Sequence, residues 1–571
     1  MAAPIHPVLN FWITYLRHLD VFGHAESEER VTSILKTFRK TDLLLVLSKI
    51  NLLLHNEPRD DIRKVQGHLC AVFFNQDTID KMDKTIQRLS DKNAANRQFV
   101  IFHQFQIVNL VKLVLSHLEE KSGDPIDSAE QRWRFGMCCL MMNDILSPDL
   151  DEKVDNEEKR TAVLEGIVRG NYFEKEDRFA NGFVRSHEFF VELPRKLRSH
   201  PQFYDFPSRF HEMTGLTIQD YLALGFAVKS WWADVTLENI GKAAARIYLN
   251  PIAFFSPCKA DPGKFKPIFD LLAIAPDVAR DELATEKASL KESWQVRFSN
   301  LTLEKRPLLN TPDGILCASL RFLDWKFTRN MFHTISNNLP APDTKAYRDF
   351  FGRIFEEYVR SLLVRCFHKR CVMEHYGASH QEAGEAVIVY PRALIIVEAK
   401  SSRLSLEVNR SGDMSGFRKA VRDTVIAGTK QIDRVISDFA SGLFRIENVK
   451  SYDIGRIYPV IVTAESMPQE FFTRTELDKM LEEARVFQDP VVAPLTLLSI
   501  DELEILEPLL NNTTMVEILG GKNGNQGNKD ISMKNYVYLQ YGTIPENEAI
   551  KERLFEIAEY IDTLLNLESQ T

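Results

Sequence analysis

A run of apolar residues that ends in two charged residues constrains the fold of this chain more than any other feature. Leu394 to Ala399 is apolar at every position except Glu398, and Lys400 follows it directly. A strand with apolar residues on both faces belongs at the centre of a sheet. Side chains two positions apart leave a strand on the same face, so Glu398 and Lys400 point to the same side. The sequence therefore predicts a carboxylate and an ammonium together at the end of a central strand.

A second apolar run, Ala386–Val389, comes before this strand and is joined to it by a turn that contains proline. A loop of two or four residues would place Glu385 opposite Ile396 and on the same face as Glu398, with α-carbons roughly 7–8 Å apart on the diagonal. Two carboxylates so placed can hold one metal ion. A three-residue loop would reverse the parity and make Glu382 the first acid instead. The sequence leaves both registers open.

The periodicity of the chain predicts a multidomain protein of the α+β/α/β class. Apolar residues recur at helical spacing through the first half, and SNNLPAPDTK, residues 336–345, interrupts that pattern. After this interruption, helices alternate with short apolar strands, which indicates an α/β domain. The expected divisions are a helical region at 1–150, a second helical region at 151–340, an α/β domain at 341–510, and a flexible glycine- and asparagine-rich loop with a closing helix at 511–571.

The helix expected over residues 346–368 carries a further acidic candidate. Glu357 has Arg353 and Arg360 at helical spacing, which predicts a salt-bridged residue on a solvated face. Glu356 has no such cationic neighbour in this interpretation and lies beside apolar positions. It is therefore the better candidate for a metal shell, and the alternative is an ordinary surface glutamate.

These segments resemble the PD-(D/E)xK, or restriction-endonuclease-like, nuclease superfamily. The resemblance rests on Glu398-Ala399-Lys400, on Glu385 as the preceding acid, and on the helical segment FGRIFEEYV, residues 351–359. It covers Tyr347 to Pro508, and Gly-Glu replaces the usual Pro-Asp of the family. The resemblance implies a restriction-endonuclease-like domain with a central mixed sheet.

The resemblance also implies a catalytic set and a cofactor. Glu385, Glu398 and Lys400 would be catalytic, and Mg²⁺, for which Mn²⁺ can substitute, would be bound by Glu385 and Glu398 with Glu356. The alternative from the residues alone is a buried Glu398–Lys400 ion pair in an inactive domain.

Basic residues follow the central strand. From Lys400 to Arg434 the chain has eight basic residues against four acidic ones. We expect four of these basic side chains to contact phosphate, and a glutamine on the same stretch resembles one common in the superfamily; the predicted nucleic-acid-binding residues are Arg403, Arg418, Lys419, Arg422 and Gln431. The alternative is a solvated helix face.

The composition limits the class of protein further. The 71 basic and 80 acidic residues give a net charge of -9, which excludes a polybasic coat for nucleic acid. The seven cysteines form no CxxC pair, which favours a reducing cytoplasm, and no apolar run is long enough to span a membrane. The sequence also lacks GxxxxGK[ST], HExxH and GxSxG motifs.

The expectation from sequence is a cytoplasmic, Mg²⁺-dependent endonuclease that hydrolyses phosphodiester bonds of nucleic acid, with DNA the favoured substrate. A place in a bacterial antiviral defence or restriction system follows by analogy with the superfamily. Control would come from a homo-oligomer or a partner protein. The alternatives are a ribonuclease and a catalytically inactive protein that binds nucleic acid or acts as a scaffold.

Overall fold

The fold is described by a computed structural model. The described residues are 13–57, 62–92, 98–120, 123–146, 179–240, 246–256, 263, 265–290, 293–372, 385–403, 414–467 and 471–565. The chain divides into two compact units, each built from separate stretches of sequence. One unit comprises Met1–Lys153, Thr214–Thr334 and Ala558–Thr571, and the other comprises Val154–Met213 and Ile335–Ile557.

Helices dominate the described residues. The α-helices are His18–Phe22, Glu28–Leu35, Lys40–Asn56, Ile62–Phe73, Gln76–Lys92, Gln104–His117, Ala129–Leu146, Phe179–His187, Leu193–Lys196, Phe206–Thr214, Ile218–Ser230, Pro251–Phe255, Lys266–Leu272, Pro276–Ala288, Leu301–Lys305, Leu320–Phe327, Met331–Asn337, Asp343–Phe367, Met414–Val421, Ala427–Ser441, Phe471–Ala484, Ile500–Leu509, Met515–Gly524, Gln526–Lys529, Met533–Tyr541 and Glu548–Leu565. In the part of the chain that the structure describes, none of these helices has both the length and the apolarity needed to cross a bilayer.

Two small sheets belong to the first unit. The parallel pair β1–β2 and the three-stranded sheet β3–β4–β5 consist of β1 (Ile13–Tyr15), β2 (Gln98–Val100), β3 (Ala273–Ile274), β4 (Leu308–Thr311) and β5 (Gly314–Cys317). These strands are short, so helices supply most of the core of this unit.

The second unit is built around one mixed five-stranded sheet. Its strands lie in the order β10-β9-β8-β7-β6 and are β6 (Cys371–Val372), β7 (Ala386–Tyr390), β8 (Ala393–Lys400), β9 (Arg456–Thr463) and β10 (Thr496–Ser499). Strand β8 is central, antiparallel to β7 and parallel to β9. The predicted combination of a helical region with an α/β region is confirmed.

The central strand forms where the apolar run predicted it. Every residue from Ala393 to Ala399 is buried, and Tyr390 pairs with Ala393, so a two-residue loop closes the hairpin. Leu394 and Ile396 belong to a buried cluster that includes Ile432 from the helix after the hairpin. This cluster fixes one face of β8 against that helix.

The helix after the hairpin contains a local irregularity. Met414–Val421 continues through a π-helical turn, Arg422–Ile426, into Ala427–Ser441. Single π turns are frequent at functional sites because they reposition the residues that follow. Gly428 is the second residue after this turn, and the close approach it allows is described below.

Aromatic packing within the second unit joins residues 179–213 to the helix Asp343–Phe367. Phe190 stacks on Phe351 with ring centroids 5.7 Å apart, and Phe206 meets Tyr347 edge to face at 5.2 Å. The compact units therefore differ from the continuous divisions expected from sequence. About a third of the segment expected as a second helical region, mainly residues 154–213, belongs to the same unit as the C-terminal half of the chain.

A buried ionic network also connects residues 179–213 to the C-terminal half of the chain. The Arg185 guanidinium donates to both carboxylate oxygens of Glu504 at 2.8 and 2.9 Å and also contacts Asp501. The Tyr358 hydroxyl donates to Glu504 Oε1 at 2.8 Å. Glu504 is fully buried, so these donors are needed to offset the cost of burying its negative charge.

The glycine- and asparagine-rich stretch of residues 520–530 was expected to be a flexible loop, and that expectation is wrong. The stretch lies mostly within the helices Met515–Gly524 and Gln526–Lys529. The buried Lys522 ammonium donates to the carbonyls of Asn528 and Ile531 at 3.1 and 2.8 Å, which ties the stretch together. A β-carbon on Gly521 would clash with the Tyr536 hydroxyl, so a larger residue there would displace the Tyr536 side chain.

Candidate nuclease-like site

Glu398 and Lys400 end the central strand, as the sequence predicts. Glu398 is 4% exposed, and Lys400 is half-buried. The Lys400 Nζ lies 2.6 Å from Glu398 Oε1 and also donates to Gln431 Oε1. The lysine is therefore held between a strand carboxylate and a helix amide. Its ammonium keeps a fixed position beside Glu398.

Gly428 lets the helix backbone come close to this lysine. A β-carbon at Gly428 would lie 3.1 Å from Lys400 Cε and from Ile461 Cδ1, and 3.5 Å from Glu398 Cγ. These first two distances are shorter than ordinary carbon–carbon contacts of about 3.5–4.0 Å. The absence of a side chain at Gly428 is therefore part of what sets the position of Lys400.

Glu385 enters the site from the start of strand β7. The ladder pairs Ala386 with Val397, and the Glu385 amide donates to the Val397 carbonyl at 2.9 Å. Because the loop has two residues, the side chains of Glu385 and Glu398 lie on the same face of the sheet. Continuing the register places it opposite Glu398, rather than opposite Ile396 as the sequence interpretation had it. The alternative acid, Glu382, lies outside the described residues.

The Glu385 carboxylate is buried but has a cationic partner. Its side chain is 5% exposed, and Oε2 accepts a hydrogen bond from Arg360 Nε at 2.7 Å. Burial, together with the nearby carboxylates Glu356 and Glu398, raises the pKa of Glu385 to about 7 against the opposing effect of Arg360. The electrostatic effect of both carboxylates places them near Glu385. Among the described residues, however, the oxygens of Glu356, Glu385 and Glu398 do not all lie within 4.8 Å of one another.

Glu356 does have a cationic neighbour, which corrects the sequence interpretation. Arg353 Nη1 lies 2.6 Å from Glu356 Oε2, and Arg353 Nε donates to Gln202 Oε1. The expected pairing of Glu357 with Arg353 and Arg360 is not the one seen. Arg353 instead bonds Glu356, and Arg360 bonds Glu385. Helical spacing had identified the two arginines but not their acceptors.

The five predicted nucleic-acid-binding residues fall into two groups. Arg403 pairs with Glu465 at 3.2 Å and lies over the Phe351 ring, Arg418 pairs with Glu476 at 3.2 Å, and Gln431 accepts from Lys400. Lys419 and Arg422 are exposed on the helix after the hairpin. The structure thus leaves Lys419 and Arg422 as the exposed cations of this set.

The carboxylate oxygens of these acids are the kind of ligand that Mg²⁺ prefers. Glu385 and Glu398 offer carboxylate oxygens at the same end of adjacent strands, and Glu356 offers a third from the helix Asp343–Phe367. The ion-pair partners of these acids are Arg353, Arg360 and Lys400. Glu385 and Glu398, which the strand register places opposite each other, therefore offer the oxygen ligands that a hard divalent cation prefers.

Comparisons with family models, with curated proteins and with solved structures found no match. The assignment of a role to this site therefore depends on its own geometry. From sequence, Arg360 was identified only as a partner of Glu357, and Gly428 was not identified at all. The spacing of Arg360 on the helix was visible, but its acceptor is 25 residues away in the chain.

Proposed function

We propose that the second unit is a Mg²⁺-dependent nuclease that hydrolyses phosphodiester bonds at Glu385, Glu398 and Lys400. The observation that carries the proposal is that Glu385, Glu398 and a held Lys400 meet at the end of the central strand, with Glu356 close enough to raise the pKa of Glu385. Two of these glutamates are buried, at 4% exposure each. Buried carboxylates grouped so closely are costly unless they serve a cation or a reaction.

The arrangement assigns a task to each side chain. Bound Mg²⁺ would lower the pKa of a water ligand and stabilise negative charge on the scissile phosphate. Glu385 and Glu398, with Glu356 from the helix, would bind the ion through carboxylate oxygens. Lys400 would orient the attacking water and place a positive charge beside the charge that develops on the phosphate. Gln431 and Gly428 would hold Lys400 in position.

The order of elements supports the same proposal. The sequence runs from the helix Asp343–Phe367 through β6, β7 and β8 to the helical stretch 414–441 and then β9. Acids and lysine occupy the helix, the start of β7 and the end of β8. This order agrees with the PD-(D/E)xK resemblance noted in the sequence, which stays a resemblance.

The substrate and setting of the activity belong to the proposal as well. Exposed Lys419 and Arg422 lie on the helical stretch that carries Gln431, and they can contact a phosphate backbone. DNA is the proposed substrate, in a cytoplasmic setting and in a bacterial defence or restriction role. Regulation by a homo-oligomer or by a partner protein completes the proposal.

A scaffold that retains the fold without catalysis is the second candidate. It is favoured by a specific observation, because each of the three acids has a cationic partner among the described residues. Lys400 pairs with Glu398, Arg360 with Glu385 and Arg353 with Glu356. Charge balance at the site is therefore achieved without a metal ion. A nuclease requires that Mg²⁺ compete with these partners.

Cleavage assays distinguish the candidates and identify the substrate. Purified full-length protein is incubated with plasmid DNA, single-stranded DNA and RNA in Mg²⁺, Mn²⁺ or EDTA. We expect cleavage of DNA in either metal, none in EDTA, and none by Glu398→Gln, which keeps the side-chain shape but loses the charge. Lys551→Ala on an exposed helix is the control and should cleave as wild type. Cleavage of RNA alone would support the ribonuclease alternative, and no cleavage of any substrate would refute the proposal.

A further inference from the structure

Two histidines and a glutamate come together in the first unit, where the helix His18–Phe22 ends. One ligand atom each from His18, His24 and Glu26 lies within 4.8 Å of the others. Among the described residues, no other set of three histidine, cysteine or carboxylate side chains has its ligand atoms this close together. It shares no residue with the carboxylate site of the second unit.

The hydrogen bonds of the two rings fix their tautomers. His18 Nδ1 lies 2.9 Å from the His24 carbonyl oxygen, and His24 Nδ1 lies 3.2 Å from the Phe22 carbonyl oxygen. Because a carbonyl oxygen only accepts, both Nδ1 atoms must donate. Each neutral ring therefore keeps a lone pair on Nε2. Metal-bound histidines show this pattern, in which one ring nitrogen donates to a carbonyl and the other binds the ion.

The His24–Glu26 contact needs a positive charge between its atoms. His24 Nε2 lies 3.4 Å from Glu26 Oε1. With the proton on Nδ1, that contact sets a lone pair against a carboxylate oxygen, which is repulsive unless a proton or a cation lies between them. Zinc–ligand distances of about 2.0–2.1 Å in a tetrahedron separate neighbouring ligands by about 3.3 Å. The observed distance matches a shared zinc ion.

The turn that carries these residues is held rigidly. Gly23 adopts φ +81°, which ends the helix and turns the chain back toward His18. The Asp144 carboxylate accepts the amides of Leu19 and Glu26 at 3.0 and 3.1 Å, and so fixes both ends of the turn on the helix Ala129–Leu146. A ligand set held by a second layer of hydrogen bonds is preorganised for binding.

The orientation of His18 is also fixed by packing. His18 is 4% exposed, and its ring stacks on Phe22 with centroids 4.6 Å apart. The side chain of His24, in contrast, is 63% exposed. One ligand is therefore buried and one faces solvent, which leaves room for a water molecule in a further coordination position.

We propose that His18 Nε2, His24 Nε2 and a Glu26 carboxylate oxygen bind one Zn²⁺ ion, with water as the fourth ligand. Two imidazoles favour zinc over the Mg²⁺ that suits the all-carboxylate site, because Mg²⁺ prefers oxygen ligands. The ion closes the turn from Arg17 to Glu26 in the helical unit. The two sites thus select different metals.

Calorimetric titration with Zn²⁺ tests this site in tag-free, full-length protein that has been stripped of metal with EDTA. Excess Mg²⁺ is present throughout, so that it occupies the carboxylate site. We expect wild type to bind one Zn²⁺ in this turn, and Co²⁺ to give the visible absorption of a tetrahedral site. His24→Ala should weaken binding at least about 100-fold, and Glu26→Gln about 10-fold. His68→Ala, at an exposed histidine of the same unit, is the matched control and should bind as wild type.

The thermal midpoint provides a second readout, because a cation bound to the native state raises it. Zn²⁺ should raise the midpoint of wild type and of His68→Ala but not that of His24→Ala. Equal zinc affinity in wild type and His24→Ala would overturn the assignment and indicate binding elsewhere, for example at a thiol. Absence of zinc binding by wild type would overturn it as well, and would indicate that a proton bridges His24 and Glu26. Neither result bears on Mg²⁺-dependent cleavage.

Discussion

Replacing Gly428 with alanine should reduce cleavage while leaving the fold intact. The new β-carbon would lie 3.1 Å from Lys400 Cε, about 0.5 Å closer than an ordinary contact, so the lysine or the helix must shift by a few tenths of an ångström. Alanine is about 1 kcal/mol more favourable than glycine within a helix, which offsets this repulsion. The free energy of unfolding should therefore change by less than about 1 kcal/mol. A displaced Lys400 should slow cleavage about tenfold, since a 1 Å misplacement costs roughly 100-fold.

Gly352→Ala is the matched control for this prediction. Gly352 lies on the helix Asp343–Phe367, and its added β-carbon would meet Ser401 Oγ at 3.6 Å, an ordinary contact. This variant should cleave DNA as wild type does and be slightly more stable. The assay is the single-turnover cleavage rate in Mg²⁺, with the thermal midpoint measured on the same samples. Equal cleavage rates for the two variants would refute the inference that Gly428 positions Lys400.

Three further predictions concern stability. Arg185→Met leaves buried Glu504 without its cation and should cost about 3–5 kcal/mol by calorimetry, and an unchanged midpoint would contradict this. Folding raises the pKa of Glu385 from 4.5 to about 7, because the protonated carboxyl is favoured in the buried site. In EDTA the protonated group therefore contributes fully to the free energy of unfolding below pH 4.5, and this contribution is lost as the pH rises to about 7. The loss should reach up to about 3 kcal/mol in urea titrations and be absent in Glu385→Gln. A fragment of residues 341–571 lacks the aromatic contacts of 179–213 and should show no cooperative thermal transition; a sharp transition would show that those contacts are dispensable.

The central hairpin could be predicted from sequence because its signals are local. An apolar run buried on both faces is sufficient to predict strand β8, and the position of Glu398 and Lys400 at its end follows from side-chain alternation. Loop length was left open, and the residue opposite Glu385 was assigned wrongly, since the register places Glu398 there and not Ile396. The pairing of Tyr390 with Ala393 selects the two-residue loop, which no local pattern required.

Features that depend on distant contacts could not be predicted. The acceptor of Arg360 is set by how the helix crosses the sheet, and the order of the stretch around Lys522 depends on carbonyls six and nine residues away. A composition rich in glycine and asparagine predicts a flexible stretch, because composition alone cannot show that a buried ammonium will bind its carbonyls. The pairing of residues 179–213 with the C-terminal half likewise depends on tertiary packing. His18 and His24 were not singled out because their spacing matches no common zinc motif.

The comparison of Lys400→Ala with wild type tests the central claim most directly, with DNA cleavage and the thermal midpoint measured together in Mg²⁺ and in EDTA. If the site binds Mg²⁺ for catalysis, the variant should fold nearly normally in Mg²⁺ and lose cleavage, because what it lacks is stabilisation of the transition state. Mg²⁺ should also raise the midpoint of wild type. A scaffold would behave differently, since loss of Lys400 leaves Glu398 buried and uncompensated at a cost of several kcal/mol. A strongly destabilised variant, of a protein that neither cleaves nor responds to Mg²⁺, would contradict the account.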